Sequence, residues 1–330
     1  MAPIILPSNQ PPDRLFTGGS RISALRSEPP CGARQPEDWI ASTTCCFGCE
    51  SSKLGMTTLP DGRVLADAIA ADPDAWLGAE HIRRHGVDTK LLLKFLDAGQ
   101  RLPVHAHPHR DWAAKHIGRR HGKAEAWYML TPGEIHIGLR EDMSAEELLR
   151  VVETQDIDAI LPKMHRIAVQ PHQVVYVPPG MLHAIGKGIL MVELQEPEDL
   201  SILVEWKGFE VDGPRDGHLG LGFPTALTAV DRKGRSDEEM AKLITTATVG
   251  SAAAKESEEY FVLERVPVSG TQKCTPGFAI MVVLEGTLVL KTDGGDKLDV
   301  KRGNTIVIPH GDGGFVLEGE GDVLIARPPQ

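Results

Sequence analysis

Short apolar runs separated by polar residues and glycines cover most of this chain. Each run is roughly four to eight residues long, which is the length of a strand and too short for an ordinary helix. Many short strands with turns between them are typical of a β-barrel or a sandwich. We therefore predict a mainly β fold, with strands at 91–96, 126–130, 135–139, 166–169, 174–177, 189–194 and 200–204.

Helical patterns are fewer. Periodic apolar positions at 63–71 and 79–85 predict two short helices before the first of these strands. Ser144 begins a capping box, which predicts a helix inserted into the β framework. Ser236 begins a second capping box, and the sequence after it predicts a helix that continues through Ile244.

Composition narrows the possible partners. The chain has 330 residues and a formal net charge of -11, and no cluster of Lys and Arg with aromatic residues between them, so we expect no nucleic-acid partner. No apolar run reaches the roughly 20 residues that cross a bilayer, so we expect no membrane partner. The first residues lack a basic segment followed by a long apolar one, which favours a cytoplasmic protein.

Five cysteines, an odd number, do not indicate a disulfide framework. Cys46 and Cys49 have the spacing of a redox or zinc pair, but there is no second pair and no thioredoxin-like context. We expect reduced, partly buried thiols. A local metal or redox role for Cys45, Cys46 and Cys49 stays open.

Candidate chemistry is concentrated at three histidines and one glutamate. His105 and His107 are one residue apart, so on a strand both side chains point to the same face and can bind one ion. His183 follows the tight turn at 178–180, and Glu125 lies between these segments. Three imidazoles and one carboxylate suit a divalent transition metal.

The second half of the chain repeats the strand and turn pattern weakly. Apolar runs at 278–290 and 304–308 are followed by His310 but contain no His-x-His pair, so we expect His310 to be structural. A Gly- and Asp-rich stretch at 208–222 predicts a linker between the halves. We predict an N-terminal arm plus a metal-binding barrel at 1–212, a linker and helix at 213–250, and a second barrel without a metal site at 251–330.

The two histidine motifs resemble those of the cupin superfamily. Gly99-x5-His105-x-His107, then Glu125 and Pro178-x-Gly180-x2-His183, stand in the superfamily's order. The resemblance implies two cupin domains, each an antiparallel β-barrel or jelly roll, with small helical insertions. It also implies a metal ion in the mouth of the first barrel.

Within the cupins, the chain is similar to the type I mannose-6-phosphate isomerases of the short bacterial branch. The resemblance rests on the His107-Pro108 step and the segments 122–128, 179–188 and 193–195, and more loosely on 17–21 and 36–42. It implies an aldose-ketose sugar isomerase that works through an enediol, with a small sugar as substrate.

The resemblance also implies roles for individual residues. Glu193 stands at the position of a candidate base, with a salt-bridged carboxylate as its alternative. Lys123 shares a strand face with Glu125 and is a candidate to stabilise enediolate charge, or merely an ion-pair partner of Glu125. His109 and Trp127 are candidates to contact the sugar.

Three positions depart from the family pattern. His105 stands where the family has glutamine, so zinc is our first choice of metal and manganese, iron, cobalt and nickel are alternatives. Pro103 replaces a serine and Leu203 replaces an arginine, both associated with the sugar phosphate in the family. These replacements remove charge-assisted contacts to a phosphate, so we expect an unphosphorylated or atypical sugar.

Two other interpretations stay open at this point. Three His and one Glu also serve cupin lyases, epimerases and dioxygenases, and a protein without the family's arginine could bind a sugar without turning it over. Exposed strand edges, which cupin barrels have, make a homodimer possible.

Overall fold

The structure is a computed structural model that describes residues 1–246 and 249–329. It is mainly β and of the cupin type, as predicted. The strands are β1 (Ile4–Ile5), β2 (Glu37–Ile40), β3 (Leu92–Asp97), β4 (His105–Ala106), β5 (Glu125–Met129), β6 (Gly133–Leu139), β7 (Met164–Val169), β8 (Gln173–Val177), β9 (His183–Ile185), β10 (Leu190–Gln195), β11 (Ile202–Leu203), β12 (Ile244–Thr246), β13 (Gly250–Ser251), β14 (Val262–Cys274), β15 (Ala279–Thr292), β16 (Lys297–Lys301), β17 (Thr305–Ile308) and β18 (Phe315–Arg327).

The helices are short and lie between or before the strands. The two predicted N-caps form: the Ser144 and Ser236 side chains each accept the backbone N–H three residues later. The α-helices are α1 (Ser20–Arg26), α2 (Leu65–Ala71), α3 (Pro73–Leu77), α4 (Ala79–His85), α5 (Arg110–Ile117), α6 (Ala145–Thr154), α7 (Ile157–Ile160), α8 (Gly213–Asp216), α9 (Phe223–Ala226) and α10 (Asp237–Ala241).

The strands form antiparallel sheets. One has the order β12-β8-β5-β10-β3-β2, and a second has the order β11-β4-β9-β6-β7. The third sheet, order β1-β17-β15-β18-β14-β13 with β16 on β15, contains the strands of the C-terminal part. The N-terminal part is therefore built from two cupin-like sheets and not from a single closed barrel.

The continuous apolar runs of the first sheet have a structural reason. One face of β3, β5 and β10 carries Phe95, Tyr128 and Val192, which pack in the same core as Val282 and Leu324 of the C-terminal sheet. The opposite face carries polar groups that are also buried. A strand buried on both faces loses the alternation of polar and apolar residues that a half-exposed strand shows.

The N-terminal arm joins two sheets. β1 pairs with β17 of the C-terminal sheet, while β2 pairs with β3 next to the histidine motifs. Between them, the Arg26 guanidinium donates to the Thr305 hydroxyl and the Leu6 carbonyl and pairs with Asp38 at 3.1 Å. The arm therefore fixes the two halves of the chain to each other.

Some sequence-based expectations need correction. The helix after Ser236 ends at Ala241, because Ile244–Thr246 forms β12 and pairs with β8. The Pro-, Gly- and Ser-rich composition of residues 1–60 predicts loops around a few strands, but the arm also contains the helix α1. The division at residues 212 and 250 stays a prediction. Two strands pair across these boundaries: β1 pairs with β17 of the C-terminal sheet, and β12 pairs with β8 of the first sheet. Among the described residues, no helix is long and apolar enough to span a membrane.

Candidate metal centre

Three buried imidazoles meet between the two sheets of the N-terminal part. His105 on β4 lies directly opposite His183 on β9 in the strand register, and their ring centroids are 4.1 Å apart. His107 lies 4.9 Å from each of them. One nitrogen from each ring lies within 4.8 Å of the other two, a grouping that can hold one metal ion.

Backbone carbonyls fix the orientation of each ring. Nδ1 of His105 lies 2.8 Å from the Pro103 carbonyl oxygen, Nδ1 of His107 lies 2.6 Å from that of Leu200, and Nδ1 of His183 lies 2.8 Å from that of Met181. A proton on Nδ1 satisfies each carbonyl and leaves the lone pair of Nε2 directed at the centre.

The protonation state of the histidines suits metal binding. Burial lowers the pKa of His107 to about 4 and that of His183 to about 3, and it lowers the pKa of His105 well below its usual range. The three rings are therefore neutral at pH 7. The Nε2 atom of His183 is buried without a hydrogen-bond partner among the described residues, and such an atom is costly unless a ligand occupies it.

Glu125 completes the group at the start of β5. Its Oε1 lies 3.1 Å from Nε2 of His107, and its Oε2 lies 3.7 Å from Nε2 of His183. Burial alone would raise the pKa of this carboxyl, but Lys123 and His107 bring it well below its usual range. Glu125 is thus a buried carboxylate beside three neutral imidazoles, and these donors fit a divalent transition metal.

Trp127 supports Glu125 from the same strand. Its Nε1 donates to Oε2 of Glu125 at 3.1 Å, and its ring meets that of His183 edge-on at 5.3 Å. The indole is fully buried and does not line the cavity beside the metal centre. The sequence analysis offered Trp127 as a sugar contact, whereas the structure places it behind Glu125 and away from the cavity.

Lys123 and Glu193 flank the centre. Nζ of Lys123 lies 2.9 Å from Oε1 of Glu125 and 3.2 Å from Nε2 of His107. Glu193 on β10 is buried and shares a hydrogen bond with Glu125. Burial, together with the negative charge of Glu125, raises the pKa of Glu193 well above its usual range. Both residues line a cavity that opens beside His105.

The same cavity contains charged residues that the sequence analysis missed. Lys94 lies opposite Glu193 in the strand register and pairs with Glu37 at 3.6 Å. Arg14 from the N-terminal arm pairs with Asp199 at 3.2 Å and with Glu37 at 3.5 Å. Lys94 is the one charged residue in the apolar run 91–96, and a charged residue in a buried strand is a sequence signal of a functional site. Arg14 and Asp199 are 185 residues apart, and nothing local in the sequence joins them.

The remaining candidates lie as follows. His109 is the N-cap of α5, where Nδ1 accepts the backbone N–H of Asp111, and its side chain is 47% exposed. It does not line the cavity, so the structure does not bring it to the metal centre.

Leu203 pairs with His105 in the strand register, and Pro103 also lines the cavity. All five cysteines are free, and each lies in the described part of the chain.

Comparison with known proteins agrees with the fold. The family model for the cupin domain of mannose-6-phosphate isomerase matches residues 252–328. Mannose-6-phosphate isomerase ManA of Bacillus subtilis is 31% identical over 293 residues, which cover 86% of this chain and 88% of ManA. The mannose-6-phosphate isomerase of Streptococcus mutans is 28% identical and covers 72% of this chain and 73% of its own length.

Solved structures show the same fold at lower identity. A putative mannosephosphate isomerase from Archaeoglobus fulgidus has a TM-score of 0.77 at 19% identity and covers 99% of this chain and 98% of that one. A mannose 6-phosphate isomerase bound with zinc and yttrium has a TM-score of 0.74 at 15% identity over the full length of both chains. With 31% identity to ManA across most of both sequences, the chain belongs to the mannose-6-phosphate isomerase family.

Proposed function

We propose that this protein is a metal-dependent aldose-ketose isomerase that acts on a sugar without a phosphate group. Family membership and the three-histidine cluster support an isomerase with a metal ion. The proposal that the sugar lacks a phosphate rests on the charge balance of the cavity, because each cation that lines it already has a carboxylate partner.

The metal would be held by four residues. His105, His107 and His183 offer neutral imidazole nitrogens and Glu125 offers a carboxylate, a set that zinc accepts and that manganese, iron, cobalt and nickel also accept. When bound, the ion polarises the carbonyl of the sugar and orders the neighbouring hydroxyls.

Glu193 is the group we assign to proton transfer. As a carboxylate it removes the proton from C2 of the aldose and delivers a proton to the former carbonyl carbon C1, while the proton of the C2 hydroxyl passes to the former carbonyl oxygen, so that the aldose becomes the ketose without net loss of atoms. Lys94 stands opposite Glu193 in the register, and its positive charge offsets part of the rise in the pKa of Glu193 that burial and the charge of Glu125 cause. Lys123 pairs with Glu125 at 2.9 Å and is the group we assign to stabilise negative charge on the enediolate oxygens.

The cavity is poorly suited to a phosphate dianion. Its lining contains three cations, Arg14, Lys94 and Lys123, against four carboxylates, Glu37, Glu125, Glu193 and Asp199. Each charge-assisted hydrogen bond to a phosphate contributes about 1.5–3 kcal/mol, and a cation already bound to a carboxylate offers little of that energy. At the two positions where the family has phosphate-side groups, Pro103 and Leu203 offer no donor side chain.

The test is an isomerisation assay with metal-loaded protein and pairs of sugars that differ only in the phosphate. Free mannose, glucose and galactose and their 6-phosphates are each followed by NMR for formation of the ketose. We expect turnover of a free sugar and a lower kcat/KM for its 6-phosphate. A preference for mannose 6-phosphate would refute the choice of sugar, and failure of every free and phosphorylated sugar to react would refute the isomerase.

A variant tests the role of Glu193 in the same assay. Glu193→Gln keeps the shape of the side chain and removes the base, so kcat should fall by a factor of about 10²–10⁴ while the metal content stays the same. Glu153→Gln is the matched control, because Glu153 is exposed on α6. Equal turnover of the Glu193→Gln variant and the wild type would exclude Glu193 as the base.

A further inference from the structure

Two buried glutamates outside the metal centre, Glu196 and Glu205, make the same pattern of contacts. Both residues are buried, and neither lines the cavity beside the metal centre. Glu196 directly follows β10, and Glu205 comes two residues after β11. Burying a carboxyl group is costly unless its oxygens are bonded, so the partners of these two side chains show what each one holds in place.

Glu196 binds both backbone groups of Ala124. Its Oε2 accepts the N–H of Ala124 at 3.1 Å, and its own backbone N–H donates to the carbonyl of Ala124 at 3.1 Å. Gln195 lies opposite Glu125 in the strand register, so this contact extends the pairing of β10 and β5 by one residue. A side-chain oxygen stands where an antiparallel ladder would use a backbone carbonyl.

Glu205 binds both backbone groups of Val104 in the same way. Its Oε2 accepts the N–H of Val104 at 2.9 Å, and its own backbone N–H donates to the carbonyl of Val104 at 3.0 Å. Leu203 lies opposite His105, so Val104 is just beyond the pairing of β11 and β4. We name Glu196 with Ala124, and Glu205 with Val104, the two carboxylate clamps.

Each clamped residue directly precedes a proposed metal ligand. Val104 precedes His105, which is the first residue of β4, and Ala124 precedes Glu125, which is the first residue of β5. Val104 and Ala124 are fully buried, so an N–H that lost its carboxylate would have no water to bond to. The backbone there would shift towards another acceptor, and the ligand one residue later would shift with it.

Positive charge holds each clamp from the other side. Nη1 of Arg101 donates to Oε2 of Glu205 at 2.6 Å, and Nε of Arg110 lies 3.6 Å from Oε1 of Glu196. Nδ1 of His121 lies 3.8 Å from the same Oε1. Both arginines belong to the chain segments that flank the His-x-His pair, so each clamp fastens one of these segments to the strand that follows β10 or β11.

From this repeated pattern we infer that Glu196 and Glu205 are positioning residues that set the metal affinity by fixing the backbone before Glu125 and His105. The inference rests on the metal centre of the proposed function. Neither glutamate is offered as a ligand. Each acts through the residue between itself and the ligand, as the supporting partners of metal ligands do.

The experiment measures zinc affinity by competition with a chelator and the absorption spectrum of the cobalt-substituted protein, in samples shown to be folded by circular dichroism. Glu196→Ala and Glu205→Ala should each weaken zinc binding about ten-fold or more and change the cobalt d–d bands, because a ligand is displaced. Glu196→Gln and Glu205→Gln keep an acceptor oxygen at the same reach, so zinc affinity should stay within about three-fold of the wild type.

Asp97 provides the matched control. Its Oδ2 accepts the N–H groups of Gly19 and Arg21 at 2.9 and 3.0 Å, and its Oδ1 accepts Nε–H of Arg21 at 2.7 Å. It is thus a buried carboxylate that binds backbone N–H groups and an arginine, but it fixes the start of α1 and does not line the cavity. Asp97→Ala should lower stability to urea and leave zinc affinity of the folded protein within about two-fold of the wild type.

The outcomes separate the clamps from the metal centre. Zinc affinity within two-fold of the wild type in folded Glu196→Ala and Glu205→Ala proteins would overturn the inference and leave the metal centre standing. An equal loss of affinity in Asp97→Ala would assign the effect to general loosening of the fold and would also overturn it. A wild-type protein that binds neither zinc nor cobalt would refute the metal centre, and the inference would fall with it.

Aspartate variants replace any alanine variant that does not fold. Glu196→Asp and Glu205→Asp keep the negative charge and draw the oxygen back from the clamped N–H by one methylene. If the contact to the backbone is what matters, each should bind zinc more weakly than the glutamine variant of the same residue. The reverse order would show that only the buried charge matters and would overturn the inference.

Discussion

Replacing Trp127 with phenylalanine should weaken metal binding without changing any metal ligand. The exchange keeps a buried aromatic ring and removes one donor, the Nε1–H that reaches Oε2 of Glu125 at 3.1 Å. That acceptor is a buried carboxylate, so the lost hydrogen bond is one to a charged group, and such a bond contributes about 1.5–3 kcal/mol of stabilisation. Changes to such supporting partners of a ligand lower metal affinity about 10–100-fold.

The assay is competition for zinc against a chelator of known affinity, followed by isothermal titration of the apo protein. Trp76→Phe is the matched control. Trp76 is also fully buried, and its Nε1 has no hydrogen-bond partner among the described residues. The same chemical change there should leave zinc affinity within about two-fold of the wild type, because no ligand loses a partner.

Two results would refute this reasoning. If Trp127→Phe bound zinc as tightly as the wild type, then Glu125 would not depend on the indole for its position, or would not be a ligand. If both tryptophan variants lost affinity equally, the effect would come from general loosening of the core and not from the contact to Glu125. Urea unfolding of both variants distinguishes the second case.

Three further predictions test neighbouring parts of the account. Leu203→Arg should raise kcat/KM for a 6-phosphorylated sugar relative to the free sugar, measured by ketose formation; an unchanged ratio with metal still bound would count against the phosphate argument. His105→Gln should retain one equivalent of metal by atomic absorption, because an amide oxygen is also a ligand; complete loss of metal would contradict the assigned coordination. Burial raises the pKa of Glu198 from 4.5 to about 7, so its ionisation disfavours the folded state increasingly as the pH rises from below 4.5 through 7. Glu198→Gln should therefore gain stability to urea relative to the wild type at about pH 8 and not at about pH 4, and an equal effect at both pH values would exclude this cause.

Much of the metal centre was predictable because its signals are local. The alternation of His105 and His107 requires only a strand, and the turn before His183 is a short motif. The antiparallel pairing that brings His105 opposite His183 is long-range, but sheets of short antiparallel strands make such pairings common. The sequence therefore indicated which histidines would cluster before any contact between them was known.

The rest depended on contacts that no local pattern encodes. Trp127 and Tyr128 alternate on β5, and the sequence could not determine which one faces the cavity or what stands in front of it. Tyr128 turned out to bond to His172, and Trp127 to Glu125. The helix after Ser236 ended early because β8 offers an edge to residues 244–246, a tertiary effect that overrides helix propensity.

The most direct test of the central claim follows the proton. An aldose that the protein isomerises is prepared with deuterium at C2 and given to metal-loaded protein in ordinary water, and NMR measures the label in the ketose and in the solvent. The account predicts a slower reaction than with the unlabelled sugar and the appearance of part of the label in water, because Glu193 holds the transferred proton between two carbons. Isomerisation with complete retention of the deuterium and at the same rate in the wild type and in the Glu193→Gln variant would indicate transfer from carbon to carbon without this base and would contradict the account.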